Sequence, residues 1–375
     1  MLKNKVVVLG LSGGVDSAIS FYLLKKMNYK VIPIFMQNWD TVANNDIKGH
    51  NKKIPDGCES NLDYLSAKKI ANFFHTKLIK VNFVKEYWKY VFKNFLFQYQ
   101  HSYAPNPDVL CNKYIKFGFF KEYALKNFNA SYIATGHYAQ IRKTKNGYFL
   151  AVAKDKTKDQ TYFLCNLNQK QIKNVIFPVG KMYKKDVRKL AKKIKLPVWN
   201  RKDSTGICFI GERNFFDFLQ NYLPSKPGKI IDITSKKILG DHIGTMYYTI
   251  GQNKNLHLAG QNHKYYVCKK DVNKNYLYVC QKKEKNKYLL SNKCLLKDFN
   301  FVNDYSTKNK SKFLKVRFRH LQKLNKVLSF IKVKKSNFWK LEYTNTLSVT
   351  PGQYAVIYDR NICIGGGVIE KVYEN

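Results

Sequence analysis

Three stretches of the chain carry residue types and spacings able to do chemistry. The first is Gly10-Leu11-Ser12-Gly13-Gly14-Val15-Asp16-Ser17, set between the apolar runs 6–9 and 18–24. It reads as a buried strand, a glycine turn and the first turn of a helix. A helix start leaves backbone N–H groups unpaired and carries partial positive charge, so it attracts anions. Gly13 and Gly14 let a phosphate approach the backbone, Ser12 and Ser17 offer hydroxyl donors, and Asp16 could orient a metal-bound water or a hydroxyl. No Lys follows the glycines, which excludes the G-x-x-x-x-G-K-[ST] loop, and the pattern is not G-x-G-x-x-G.

The second stretch is Asn106-Pro107-Asp108-Val109-Leu110-Cys111-Asn112-Lys113. Pro105 and Pro107 fix an extended turn, and Asp108 is expected to cap a helix beginning around Val109. Cys111 then stands in the first turn, where the dipole and Lys113 lower a thiol pKa. A capped helix with an incidental cysteine is the alternative. The third stretch, residues 201–209, carries Cys208 just past Gly206 among apolar neighbours. Taken alone, such a cysteine is more often a buried thiol.

These groups need elements to position them. Residues 30–35 read as a second strand, so Met36 falls at a carboxyl end, where ligands of doubly wound sheets sit. An adenine could rest on Met36, which is otherwise a core methionine. A polar loop is expected over 41–57, a helix over 60–74, a strand over 77–83 and helix again over 85–100. A short strand over 131–136 ends in Gly136-His137-Tyr138, where Gly136 allows close ligand approach. Lys158-Asp159-Gln160 opens a helix on the same face, and 184–194 is a basic amphipathic helix. Alternating strand and helix argues for a parallel α/β sheet. From about 211 the pattern changes to short β-like runs between Gly, Asn and Asp turns, as in a small barrel or sandwich.

Composition sets the outer bounds. The chain has 375 residues, room for two or three domains, and 45% hydrophobic content, as a globular protein needs. Lys and Arg number 67 against 25 Asp and Glu, a formal +42 that favours polyanionic partners, nucleic acid first. Abundant Lys, Asn, Ile, Phe and Tyr also suit an A/T-rich genome, which accounts for part of the excess. The eight cysteines form no C-x-x-C pair, so neither zinc nor a disulfide framework is indicated and a cytoplasmic protein is expected. No apolar run reaches the roughly 18 residues of a membrane span. The opening residues faintly mimic a signal peptide, but Asp16 and the double glycine interrupt it.

Together these stretches resemble the tRNA-specific 2-thiouridylases of the N-type ATP pyrophosphatase superfamily, over nearly the whole chain. The matching pieces are residues 10–17, Phe35-Met36 with Asn38-Trp39, Asn106 to Asp108 with Cys111, and Gly136-His137-Tyr138. Further on come Lys158-Asp159-Gln160, residues 204–211, 247–252 and Pro351-Gly352-Gln353-Tyr354-Ala355-Val356. The resemblance implies an α/β fold: a parallel-sheet ATP pyrophosphatase domain over 1–210, a small mixed domain over 211–282 and a tRNA-contacting β-barrel over 283–375. It implies ATP on Gly10, Leu11, Ser12, Gly13, Gly14, Val15, Asp16, Ser17, Met36 and Gly136. Asn106, Pro107 and Asp108 would meet the target base, Asp108 moving a proton. Cys208 would carry a persulfide, with Cys111 its partner thiol. His137, Lys158, Asp159, Gln160, Arg317, Arg319, His320 and Gln353 would touch tRNA.

The implied reaction is 2-thiolation of the wobble uridine in Lys, Glu and Gln tRNAs, with ATP and Mg²⁺ but no assigned protein ligand to the metal. A sulfur-relay protein or a cysteine desulfurase would supply the sulfur. The chain departs from the family at Gln37, where Lys is common, and in 253–260, where a basic residue and a glycine-rich run are usual. Two other readings are an adenylating relative with another acceptor, which would need no cysteine pair, and an RNA-binding protein with a degenerate nucleotide site.

Overall fold

The computed structural model describes residues 5–48, 59–145, 147–203, 214–258, 263–303 and 313–373. β1 (Val6–Gly10), whose Val7, Val8 and Leu9 are wholly buried, runs through the middle of the first sheet. A strand covered on both faces must be apolar along its length, which is why β1 shows no alternation. It is followed by α1 (Val15–Lys26), β2 (Lys30–Gln37), α2 (Glu59–Phe73) and β3 (Ile79–Asn82). β4 (Tyr132–Ala134) comes next, then β5 (Ala139–Thr144), β6 (Gly147–Val152) and β7 (Val175–Ile176). The sheet order is β3-β2-β1-β4-β7, and every pairing is parallel. Because β2 and β4 leave β1 on opposite sides, the crevice of this doubly wound sheet opens at the end of β1. That is where residues 11–17 stand.

The middle region adds β8 (Gly228–Asp232), β9 (Ile238–His242), β10 (Tyr265–Asp271) and β11 (Tyr276–Gln281), ordered β10-β11-β8-β9. It shares a core with the first domain, where Trp39 meets Phe92 at 4.7 Å between ring centres and Phe218 at 6.1 Å. The last region holds β12 (Leu290–Phe301), β13 (Leu314–Arg317), β14 (Asn325–Lys332), β15 (Phe338–Leu347), β16 (Tyr354–Asp359) and β17 (Ile362–Tyr373). They run β12-β15-β14-β13-β16-β17, and β17 pairs back onto β12 to close a six-stranded barrel. Closure removes the exposed edges that an open sheet would offer.

One connection goes beyond the sequence reading, which gives residues 139–152 no element. The β5–β6 hairpin leaves the first domain and adds to the barrel sheet, pairing Ile362 with Ala151 and Cys363 with Leu150. Ala139, Leu150 and Ala151 are buried by it. The barrel is thus hydrogen-bonded to the first domain as well as packed on it. Among the described residues no helix is long and apolar enough to cross a membrane.

Candidate active site

The loop after β1 is built as an anion cradle. Gly14 is the N-cap of α1 and brings no side chain to cap it, so the first-turn N–H groups face outward without a side-chain acceptor. Gly13 has φ of +82°, and a Cβ there would lie 2.4 Å from the Asp63 carbonyl oxygen. Only glycine fits that turn. Ser17 Oγ donates to Gly14 O at 2.9 Å and lies 3.3 Å from Ser12 Oγ, with Ser12 exposed. Met36 Cε approaches within 3.0 Å of the place a Gly10 Cβ would take, so the thioether lies beside the loop at the strand ends. Gly136 also allows a close approach within the protein itself. A Cβ on it would fall 2.8 Å from Ser17 N and 2.9 Å from Asp16 C. The lack of a side chain there lets the start of α1 pack against it.

Asp16 at the mouth of the loop is held on two sides. Tyr138 OH donates to its Oδ1 at 2.8 Å, and Lys184 Nζ donates to Oδ1 at 2.7 Å and Oδ2 at 2.8 Å. Lys184 opens the Lys184–Lys193 helix, and its backbone N–H is caught by Asp155 Oδ2 at 2.9 Å. The same ammonium pairs with Asp203 at 2.8 Å. Sequence reasoning missed Lys184 because it is one of 67 basic residues and carries no motif of its own. Its place at the first turn of a basic helix on the β1 side was the available signal.

The second group sits on a long helical run, Pro107–Leu110, then π-helical Cys111–Phe119, then Phe120–Phe128. The helix starts earlier than expected. Asn106 is the N-cap and Pro107 the first helical residue, so Asp108 is inside the first turn and caps nothing. Pro needs no N–H partner there, which favours this start. Cys111 accordingly lies in the second turn, 1% exposed, where the dipole acts less than expected. Burial raises the Asp108 carboxyl above its ordinary range, and the charge of Lys116 offsets part of that. Lys116 Nζ lies 3.4 Å from His137 Nε2, and Thr135 Oγ1 lies 2.7 Å from His137 Nδ1. Burial, then Lys116, pushes His137 well below its usual pKa, so the ring is neutral. Lys116 therefore joins Asp108 and His137 electrostatically, a second residue that carried no motif.

Cys208 lies outside the described residues, as does Ser204 to Gly211. The chain from residue 147 up to Asp203 is described. Asp203 takes ion pairs from Lys184, from Lys158 at 3.1 Å and from Arg188, and Arg201 Nη1 donates to Gly13 O at 3.0 Å. Burial would raise the Asp203 carboxyl, but hydrogen bonds from Lys184 and Lys158 hold it well below the usual carboxylate range.

The residues expected at tRNA divide into two sets. Lys158 and Gln160 stay on the face of the loop; Gln160 Oε1 accepts Tyr138 N at 2.9 Å. Gln353 Nε2 donates to Ala104 O at 2.6 Å, beside Asn106 to Asp108, and is half-buried. Asp159 and Arg317 are corrected by the structure. Asp159 is 1% exposed, accepts Ala153 N at 3.1 Å and Thr161 Oγ1 at 2.7 Å, and pairs with Arg317 at 3.3 Å. The Arg317 side chain is 12% exposed and lies over the Tyr358 ring. A carboxylate taken from water must keep its cation, so this pair belongs to the interior. His320 Nε2 lies 2.9 Å from the Asp159 carbonyl, and Arg319 Nη2 donates to Ile250 O at 3.1 Å and Ser348 O at 3.0 Å. Both join regions of the protein, a role that a basic strand read from sequence does not reveal.

Comparison with known proteins finds three families along the chain. Residues 4–212 match the tRNA methyl transferase HUP domain, 216–281 the tRNA methyl transferase PRC-barrel domain, and 291–369 the aminomethyltransferase β-barrel domain. The chain is similar to the tRNA-specific 2-thiouridylase MnmA of Ureaplasma parvum serovar 3, 50% identical over 98% of this chain and 95% of the relative. It is likewise similar to that of Mycoplasma mycoides subsp. mycoides SC, 49% identical over 99% of this chain and 100% of the relative. Among solved structures, a 4-thiouridine synthetase–RNA complex with bound ATP aligns with a TM-score of 0.34 at 13% identity, covering 56% of this chain and 46% of that one.

Proposed function

The chain belongs to the tRNA-specific 2-thiouridylase family, and from that we propose that it replaces the C2 oxygen of the wobble uridine of tRNA with sulfur, using ATP. The single observation that best supports the reading is the uncapped start of α1, with Ser12 just before it and Ser17 in its first turn. Alongside this, the chain places Asp108 and Cys111 near the start of a second helical run. A uridine C2 oxygen is a poor leaving group. ATP held on residues 10–17, with adenine against Met36, gives AMP to that oxygen and releases pyrophosphate toward the helix start. Asp108, whose raised pKa suits proton transfer, serves the uridine N3–H. The terminal sulfur of a Cys208 persulfide attacks C2 and AMP leaves. The Cys111 thiolate then attacks the Cys208 sulfur, which frees the C2 thiocarbonyl and leaves a Cys111–Cys208 disulfide for an external thiol to reduce. Unstacking the base costs roughly a few kcal/mol, least in a single-stranded anticodon loop.

Among the described residues no three His, Cys, Asp or Glu side chains converge on one point. Mg²⁺ is proposed to be held by phosphate oxygens and water, as this ion commonly is, with no protein ligand assigned to it. It would offset pyrophosphate charge. Lys, Glu and Gln tRNAs are the proposed substrates, a relay protein or cysteine desulfurase the proposed sulfur donor, and the cytoplasm the proposed location. Domain boundaries are proposed near residues 210 and 282.

The test is incubation with ATP, Mg²⁺, cysteine, a cysteine desulfurase and unmodified glutamate tRNA, followed by nucleoside mass measurement. One sulfur-for-oxygen exchange at the wobble uridine, lost in Cys208→Ser and Cys111→Ser, is expected. AMP and pyrophosphate released without thiolation would move the reading to another acceptor.

A further inference from the structure

The chain just before Cys208 is fastened to the ATP loop by side chains that the reaction above leaves idle. Arg201 donates to Gly13 O at 3.0 Å and pairs with Asp63 of α2. Arg188 donates to the carbonyls of Trp199, at 3.2 Å, and Arg201, and pairs with Asp203. Asp203 Oδ1 also takes Lys184 at 2.8 Å while Oδ2 takes Lys158 at 3.1 Å. Lys184 in turn holds both oxygens of Asp16 in the loop. One carboxylate thus gathers three cations, one of which belongs equally to the ATP loop.

We propose that Asp203 and Arg201 are positioning residues, which anchor the start of the Cys208 segment at the ATP loop so that the sulfur is delivered to the uridine adenylated there. The proposal rests on the thiolation reading. Cys208 follows Asp203 by five residues in the sequence, so fixing Asp203 fixes one end of the short chain that carries the thiol. Tethering of this kind raises the local concentration of the thiol at the adenylated base. The Asp203 side chain is 35% exposed while that of Lys184 is 12% exposed. The carboxylate is therefore not a core requirement, and of its cations Lys158, whose side chain is 42% exposed, remains accessible to a polyanion.

The experiment counts 2-thiouridine formed per AMP released by the full-length protein, with ATP, Mg²⁺, cysteine, a cysteine desulfurase and glutamate tRNA. In Asp203→Asn the ratio is expected to fall by about tenfold, with the KM for ATP within about threefold of wild type. Asp203→Glu should recover most of the ratio. Arg201→Lys, which keeps the charge and gives up the guanidinium fork, should lower the ratio without unfolding the protein, as a thermal melt would verify. A structural role alone would depress AMP release and thiolation together and leave their ratio unchanged; that result, in either Asp203→Asn or Arg201→Lys, overturns the proposal. Wild-type protein that releases AMP but makes no 2-thiouridine would sink the thiolation reading and the proposal with it.

Discussion

Substituting Gly136 by Ala isolates the role of the α1 start, because Gly136 lies outside residues 10–17 yet touches the helix backbone. The added methyl would fall 2.8 Å from Ser17 N and 2.9 Å from Asp16 C. Ordinary carbon contacts need about 3.5 Å, so the first turn must retreat by roughly half an ångström. No flexible side chain lies between them to absorb the shift. Overpacking of this kind costs about 1–3 kcal/mol. A displacement of about 1 Å at a reacting group costs roughly a hundredfold in rate, so half of that predicts about a tenfold loss. The assay is the kcat/KM for ATP, read as pyrophosphate released in the presence of tRNA, beside a thermal melt. Gly240→Ala serves as the control, since its methyl would meet only Leu258 Cδ2, at 3.4 Å. Unchanged kcat/KM in Gly136→Ala, with the melt lowered as overpacking requires, would mean that the start of α1 does not bind the phosphates.

Three further outcomes follow from the same geometry. Asp108→Asn should lower the thiolation rate by about 10²–10⁴-fold yet stabilise the protein at neutral pH. Burial raises the folded pKa, so the wild-type carboxyl favours folding below its ordinary 3.8 and loses that contribution as pH rises through the raised value; melts of both proteins across pH 4–8, roughly the range of such titrations, should therefore diverge upward. Arg317→Ala should cost about 3–5 kcal/mol of stability in urea titration, because it strands the buried Asp159 carboxylate, and should leave the salt dependence of tRNA binding unchanged. Lys270, whose ammonium donates to Ser102 O at 2.6 Å, is pushed by burial down to about 7 from an ordinary 10.5. Relative to Lys270→Met, wild-type stability should fall as pH drops between those values, by at most about 1.4 kcal/mol per unit, and level off below; a difference that does not vary with pH would refute it.

The sequence by itself determined the local chemistry and the class of fold. Residues 6–17 read as strand, glycine turn and helix start because each step is dictated locally: an apolar run, two glycines, then helical spacing. The missing Lys excluded a P-loop for the same reason, and the change near 211 from helical to short β periodicity separated the regions. Contacts distant in sequence were decided only by tertiary structure. Gly136 is needed for the backbone of α1, which packing alone reveals. Lys184 and Lys116 were indistinguishable from other lysines until folding set one against Asp16 and Asp203 and the other against His137. Arg317 and Asp159, 158 residues apart, found each other inside the protein rather than at its surface. The β5–β6 hairpin joined the barrel because an edge strand needs a partner, and which strand it finds is settled by where the domains dock. Residue type and spacing fix what a group can do; burial and partners, which come with the fold, fix whether it is free to do it.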